Sequence, residues 1–365
     1  MGRLRIVEDV AVGCDTDVRE RVEDPVASAA QGMRGVPGWL ADRQGRRLRY
    51  LRLSVTDRCD LRCRYCMPEE GVPASDRADI LSFDEVVRVV RVFQRFGVRT
   101  VRITGGEPLV RKNLPELVRR ICVETGIQDV ALTTNATAMA KLALPLAKAG
   151  VRRVNVSLDS VRAETFSEMT RGGDLRRVLA GIEAARSLFE TKINAVVVRG
   201  MNDDQLREIV EWAWSKNILP RFIELMPVGE GAKLGRERVV SVFDMQVGLA
   251  DLLTLGEAER RLDRGPAGYL PAADGSSRKV GFIGAVTDNF CHRCNRVRVT
   301  ARGEVRACLA SPDGFQFRDA LRSGGNDEDV AEALEKALFG KRDGHAFHVP
   351  GTTHHFAVNM SQTGG

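Results

Sequence analysis

Between residues 49 and 226 the sequence repeats one unit, a short apolar strand followed by an amphipathic helix, and few folds accept such a repeat. The pattern predicts strands at 49–55, 100–104, 129–133, 153–158, 193–198 and 222–226. It predicts helices at 83–96, 114–124, 138–149, 175–189 and 205–216. Six strands alternating with helices imply parallel βα units, which curl into a full or partial barrel or spread as a doubly wound sheet. The polar motifs favour the barrel. CDLRCRYC follows the first strand, GGEP the second, TTN ends the third and SLD the fourth. Loops at the carboxyl ends of barrel strands converge on one mouth, where chemistry is placed. The expected fold class is therefore α/β, a partial (β/α)6 TIM-like barrel with a smaller C-terminal domain.

After Gly229 the alternation stops. Residues 235–280 read as irregular helix and Gly/Pro-rich stretches, followed by short strands near 278–285, 296–300 and 304–308 and an amphipathic helix at 327–339. Before the barrel, acids, Gly and Pro mix without periodicity, as a flexible extension does. The expected boundaries are 1–45 for the extension, 46–230 for the barrel and 231–365 for the C-terminal module.

Six of the eight cysteines fall into two triplets, Cys59, Cys63 and Cys66 in one, Cys291, Cys294 and Cys308 in the other. Clustered thiols suit metal ligation in a reducing cytosol better than a disulfide framework. A cubic four-iron cluster held by three thiolates keeps its fourth iron open to a ligand that is not protein. The first triplet is C-x3-C-x2-C. A zinc site with Cys122 as fourth ligand is the alternative, whereas a redox dithiol leaves one thiol unexplained. The second is C-x2-C-x13-C, for which a zinc knuckle completed by His292 is a serious rival. Beside it, Arg296 and Arg298 alternate onto one strand face, as residues two apart do. Two guanidiniums next to an open iron suggest an anionic substrate, each charge-assisted bond being worth about 1.5–3 kcal/mol.

Thr104–Pro108 reads TGGEP, where two glycines let a ligand approach the backbone and Glu107 can accept from an ammonium. Thr133, Asn135, Asn155 and Ser157 are small polar residues at strand ends, facing the mouth or capping local turns. The chain is 43% hydrophobic and 28% charged, ordinary for a soluble globular protein. No run of about 18 apolar residues predicts a membrane span, and the acidic start (Glu8, Asp9, Asp15, Asp17) does not resemble a leader. A cytoplasmic location is expected. The net charge of +6 suits a polyanionic small substrate as well as nucleic acid.

C-x3-C-x-Y-C after a strand resembles the radical S-adenosylmethionine (SAM) superfamily. From residue 42 to residue 365 the chain resembles the GTP 3′,8-cyclase family of molybdenum cofactor biosynthesis. The likeness is carried by LRLSVTDRC, CRYCMP, VRITGGEPL, LTTNA, VNVSLD, INAVVVRGMND, RFIELMPVG, FCHRCNRVRVT and the final Gly364-Gly365. It implies two [4Fe–4S] clusters on the two triplets, SAM on the first, and the purine of GTP on the second. It implies SAM contacts at Tyr65, Gly106, Glu107, Ser157 and Met226. GTP contacts are implied at Arg52, Arg102, Thr133, Lys192, Arg221, Arg296, Val297 and Arg298. Arg298, Gly364 and Gly365 are the expected catalytic positions, the two glycines forming a tail slim enough to enter the site.

The implied reaction starts when a 5′-deoxyadenosyl radical removes the ribose 3′ hydrogen of GTP, and the carbon radical then attacks C8 of the guanine. An electron donor is required, and the MoaC protein, cyclic pyranopterin monophosphate synthase, is the implied partner. No nucleic acid or membrane partner is expected, and the chain is expected to be a monomer or homodimer. The sequence departs from the family pattern at Thr100, Ala136, Arg302 and Thr363. Cys14 and Cys122 read as free cysteines, and His345, His348, His354 and His355 as decoration of a C-terminal surface. Two rivals explain less. Peptide-maturing radical SAM enzymes carry longer strings of C-terminal cysteines. A zinc-bearing nucleic-acid binder calls for more than 5% aromatics and leaves GGEP unused.

Overall fold

The computed structural model describes residues 40–73, 75–260, 265–311, 313–345, 347 and 360–363. Most of the expected extension, Cys14, His348, His354, His355 and the final Gly364-Gly365 lie outside the described residues.

All six anticipated strands form: β1 (Tyr50–Ser54), β2 (Thr100–Thr104), β3 (Asp129–Thr134), β4 (Val151–Ser157), β5 (Glu190–Val197) and β6 (Leu219–Glu224). They pair in sequence order and in parallel, which requires a helical crossover each time. The crossovers are α1 (Phe83–Arg95), α2 (Leu114–Thr125), α3 (Met139–Ala149), α4 (Ala163–Thr170) with α5 (Leu175–Arg186), and α6 (Leu206–Ser215). Their ends carry recognisable stops. Ser82 and Glu85 form a reciprocal capping box at α1, and Gly126 and Gly150 take left-handed conformations after α2 and α3. The core between helices and sheet is aliphatic, with Leu51, Leu53, Val101, Ile103, Leu132 and Val154 fully buried.

The C-terminal strands do not build a separate sheet. Beyond β6 the chain forms β7 (Glu259–Arg260), β8 (Gly268–Pro271), β9 (Lys279–Ile283), β10 (Arg296–Val299), β11 (Glu304–Arg306) and β12 (Phe315–Gln316). One twelve-stranded sheet results, in the order β12-β11-β10-β1-β2-β3-β4-β5-β6-β9-β8-β7. β9 extends the β6 edge and β10 the β1 edge, both in parallel. The sheet ends at β12 and β7, so it stays open rather than closing into a full barrel. The stretch expected to be irregular, 235–280, therefore supplies two antiparallel edge strands.

Ala136, a departure noted above, has φ +63° in the turn after β3, a left-handed backbone that costs an L-residue about 1–2 kcal/mol. Glycine relieves that strain at an entropic cost of about 0.5–1 kcal/mol. Ala136→Gly is expected to raise stability by about 0.5–1 kcal/mol, measured as a higher denaturant midpoint. A lower midpoint would mean that the buried methyl outweighs the strain.

Candidate active site

The barrel mouth begins with the register of its strands. Arg298 of β10 lies opposite Arg52 of β1, which lies opposite Arg102 of β2. Parallel strands in register put the three side chains on one face, a row of guanidiniums across the chamber. Tyr50, two residues before Arg52, sits opposite Arg296 and accepts a hydrogen bond on its hydroxyl from Arg102 Nε. Arg102 Nη1 also donates to Leu132 O at 3.0 Å and Thr133 Oγ1 at 3.3 Å. Across the mouth, Arg221 of β6 pairs with Asn194 of β5 on one side and Gly281 of β9 on the other. A Cβ on Gly281 would stand 2.7 Å from Arg221 Cγ, so the missing side chain leaves room for this arginine.

These residues, with Met226, Cys291, Cys294, Arg296 and Cys308, line a chamber of about 1150 Å³, its open mouth included. Its electrostatics demand an anion. Arg52 is held well below the usual arginine range, by burial first and then by the charge of Arg298. Arg298 is pulled down to about 10, by burial and then by Arg296. Arg221 Nε and Nη2 and Asn194 Oδ1 are buried with no hydrogen-bond partner among the described residues. Buried polar atoms left in this state cost stability unless a ligand satisfies them.

The second triplet opens into the same chamber. Cys291 and Cys294 flank a single 3-10 turn, and Cys308 follows β11. Burial raises the Cys294 thiol, but Arg296 and Lys341 beside it more than offset this and bring it down to about 6. A thiolate at neutral pH is the form that binds iron. Arg296 itself lies with its guanidinium carbon 4.9 Å from the centre of the Phe290 ring. His345, expected as surface decoration, instead lines the chamber and stacks on Phe347 at 4.1 Å. One residue of a loose histidine group carries no spacing signal for such a place.

The first triplet occupies the loop after β1. Cys66 N and Met67 N both donate to Cys63 O, which winds the loop into a turn around the thiols. Burial pushes Cys59 up to about 12, with further contributions from Glu107, Asp60 and Cys66, and Cys63 is raised well above its ordinary value by burial. Burial by itself disfavours thiolates here, and an iron cluster would offset that by ligating them. Among the described residues no three His, Cys, Asp or Glu are gathered to hold one metal ion. A four-iron cubane spreads three thiolates over three irons and does not need them gathered on one ion.

The TGGEP glycines also have a structural reason. A Cβ on Gly105 would lie 2.3 Å from Thr56 O, and one on Gly106 would lie 2.4 Å from Arg58 O. Gly106 N donates to Thr56 O and Glu107 N to Arg58 O, so this loop is zipped onto the cysteine loop. Glu107 is buried and accepts from Leu109 N at 2.9 Å, Thr134 Oγ1 at 2.7 Å and Asn135 N at 2.6 Å. Its carboxylate therefore brackets β2 against β3, with capacity for one further donor. Burial pushes it up to about 7 despite those bonds. Gly106→Ala is expected to displace the cysteine loop and cut the iron bound at the first triplet, read by iron analysis of the purified variant.

Tyr65 is buried among the thiols and donates from its hydroxyl to Asp159 Oδ2 at 2.8 Å, and Asp159 also accepts from Val196 N. Ser157 ends β4 in register with Asn194. Lys192 lies two residues before Asn194 on β5, in register with Asn155, and pairs with Glu190 at 2.8 Å. Val297 is fully buried in the core, since the alternation that turns Arg296 and Arg298 inward turns Val297 outward. Arg298 Nη1 donates at 3.1 Å to the carbonyl of Thr363, on the helical turn Met360–Thr363. Tyr50 and Asn194, absent from the expected list, belong to the chamber wall.

Known proteins agree with this architecture. Residues 53–213 match the Radical SAM superfamily, and residues 219–347 match Molybdenum Cofactor Synthesis C. The structure of Streptococcus suis SuiB bound to precursor peptide SuiA is similar in fold, at TM-score 0.59, covering 85% of this chain and 74% of that one with 16% identity. Fold and site define a radical SAM enzyme, a class that implies a [4Fe–4S] cluster and SAM. The GTP 3′,8-cyclase of Heliobacterium modesticaldum is 44% identical over 305 residues, 83% of this chain and 93% of that protein. That of Bradyrhizobium diazoefficiens is 40% identical over 344 residues, 93% and 99% of the two chains. The chain belongs to the GTP 3′,8-cyclase family.

Proposed function

We propose that the chamber holds GTP between two iron–sulfur sites and that the enzyme joins ribose C3′ to guanine C8, giving 3′,8-cyclo-7,8-dihydroguanosine 5′-triphosphate. One observation carries the reading: the in-register row Arg298–Arg52–Arg102 faces the unsatisfied nitrogens of Arg221 in a chamber reached by the second triplet. A triphosphate brings about four negative charges, and buried cations without a counter-anion are costly. GTP supplies that counter-anion.

Cys59, Cys63 and Cys66 hold the first cluster in this reading, with Tyr65, Gly106, Glu107, Ser157 and Met226 around SAM. Cys291, Cys294 and Cys308 hold a second [4Fe–4S] cluster whose open iron takes the purine. With cluster and SAM bound, the first site supplies the one-electron chemistry that starts a substrate radical. The protein's own part is positional. Arg52, Arg102 and Arg221 fix the phosphates, and Thr133 and Arg296 orient the nucleoside. Arg298 polarises the base from beside the second triplet. Its contact with Thr363 O brings the segment just before Gly364-Gly365 to the same wall. Lys192 and Val297 contribute only through a side-chain reorientation and a backbone group, respectively.

No helix among the described residues is long and apolar enough to cross a membrane. A cytoplasmic enzyme, monomeric or homodimeric, fits ligand cysteines kept reduced. It takes electrons from a donor protein and passes its product to the MoaC-type cyclic pyranopterin monophosphate synthase. Anaerobic incubation with GTP, SAM and a reductant tests the reading. The cyclised nucleotide should accumulate with 5′-deoxyadenosine, and 5′-deoxyadenosine without any cyclised GTP would overturn it.

A further inference from the structure

The loop that carries Cys291 and Cys294 is gripped from behind by two buried cations. Arg46 Nη1 donates to Cys291 O at 2.6 Å, and Lys341 Nζ donates to Cys294 O and Arg296 O, both at 2.9 Å. The backbone of β1 takes Asn295 O through Arg49 N and Tyr50 N. Asp42 sits between the cations with a fully buried side chain. It accepts from Arg46 Nε at 2.6 Å, and Lys341 Nζ lies 3.9 Å away. The Arg46 and Lys341 side chains are only 6% and 4% exposed, so neither is a solvated surface charge.

Asp42 is itself held by a tight turn, accepting on Oδ1 from Gln44 N and Arg46 N. Arg46 also reaches Arg342 O at 2.9 Å, next to Lys341 in the chain. Three segments far apart in sequence are thus tied behind one cysteine loop. A hydrophobic contact would hold such segments at lower desolvation cost, so two cations and one carboxylate here need a reason beyond stability. Groups behind metal ligands orient them and tune the metal, and a net positive charge favours the more negative, reduced state of a cluster.

We infer that Asp42, Arg46 and Lys341 form an ionic clamp that fixes the Cys291–Arg296 loop and raises the reduction potential of the second cluster. This rests on the second cluster proposed above. All three are positioning residues, since none lines the chamber that holds substrate.

The test uses full-length enzyme reconstituted with iron and sulfide, the first cluster serving as internal reference in an EPR-monitored redox titration. Lys341→Met should lower the potential of the second cluster by about 59 mV or more, tenfold in a one-electron equilibrium, or release that cluster's iron alone. Lys341→Arg should restore the potential. Arg46→Gln should weaken iron retention at the second triplet while SAM cleavage continues, and it carries the test if Lys341→Met does not fold. Wild-type enzyme with about eight irons and both variants unshifted in potential and iron content would overturn the clamp alone. Wild-type enzyme with only about four irons would overturn the second cluster, and the clamp with it.

Discussion

Replacing Cys291, Cys294 and Cys308 together by alanine is expected to halve the iron and acid-labile sulfide, from about eight to about four atoms of each per chain. Cyclisation of GTP should fall below detection, while reductive cleavage of SAM to 5′-deoxyadenosine persists. The two halves of that result follow from the different strands that carry the two triplets. The first triplet is held by the TGGEP loop and by the turn on Cys63 O. The second triplet stands on β10 and β11 at the far edge of β1, where its loss leaves the β1–β6 sheet paired. Retention of about eight irons in the variant would remove the second cluster from the reading. Loss of all iron would show instead that the two loops fold as one unit.

The cysteine loops and the strand framework were legible in the sequence because both are local patterns. Strand 100–104 and helix 327–339 match their expected limits, since apolar periodicity and flanking turn residues mark them directly. α4 was missed because AETFSEMT shows little apolar repeat; it buries only Phe166, Met169 and Thr170. The paired edges were not readable at all. Nothing local in RVRV says that it will lie beside residues 50–53, and that pairing is what sets Arg298 next to Arg52. The clamp behind the second triplet was hidden for the same reason, since Arg46 and Cys291 are 245 residues apart. The resemblance supplied Arg52, Arg102 and Arg221 as substrate contacts. It gave no signal for Tyr50 and Asn194, which sit in ordinary strand text.

Arg52→Met is expected to weaken GTP binding by about 10- to 150-fold, the loss of one charge-assisted contact worth about 1.5–3 kcal/mol. The same substitution should leave the GTP-free enzyme no less stable, and somewhat more so. Arg52 is half-buried at the centre of the row, with Arg298 and Arg102 opposite it on the two neighbouring strands. In the absence of an anion those three charges repel one another in a poorly solvated place, and methionine keeps most of the stem's packing without the charge. The pairing of weaker binding with equal or higher stability separates a substrate-binding charge from a structural one, because loss of a structural arginine lowers both. Isothermal titration with GTP and a denaturant melt of the GTP-free enzyme read the two quantities independently. Unchanged affinity for GTP would remove Arg52 from the phosphate site. A lower melt midpoint would mean that its contacts inside the barrel outweigh the repulsion along the row.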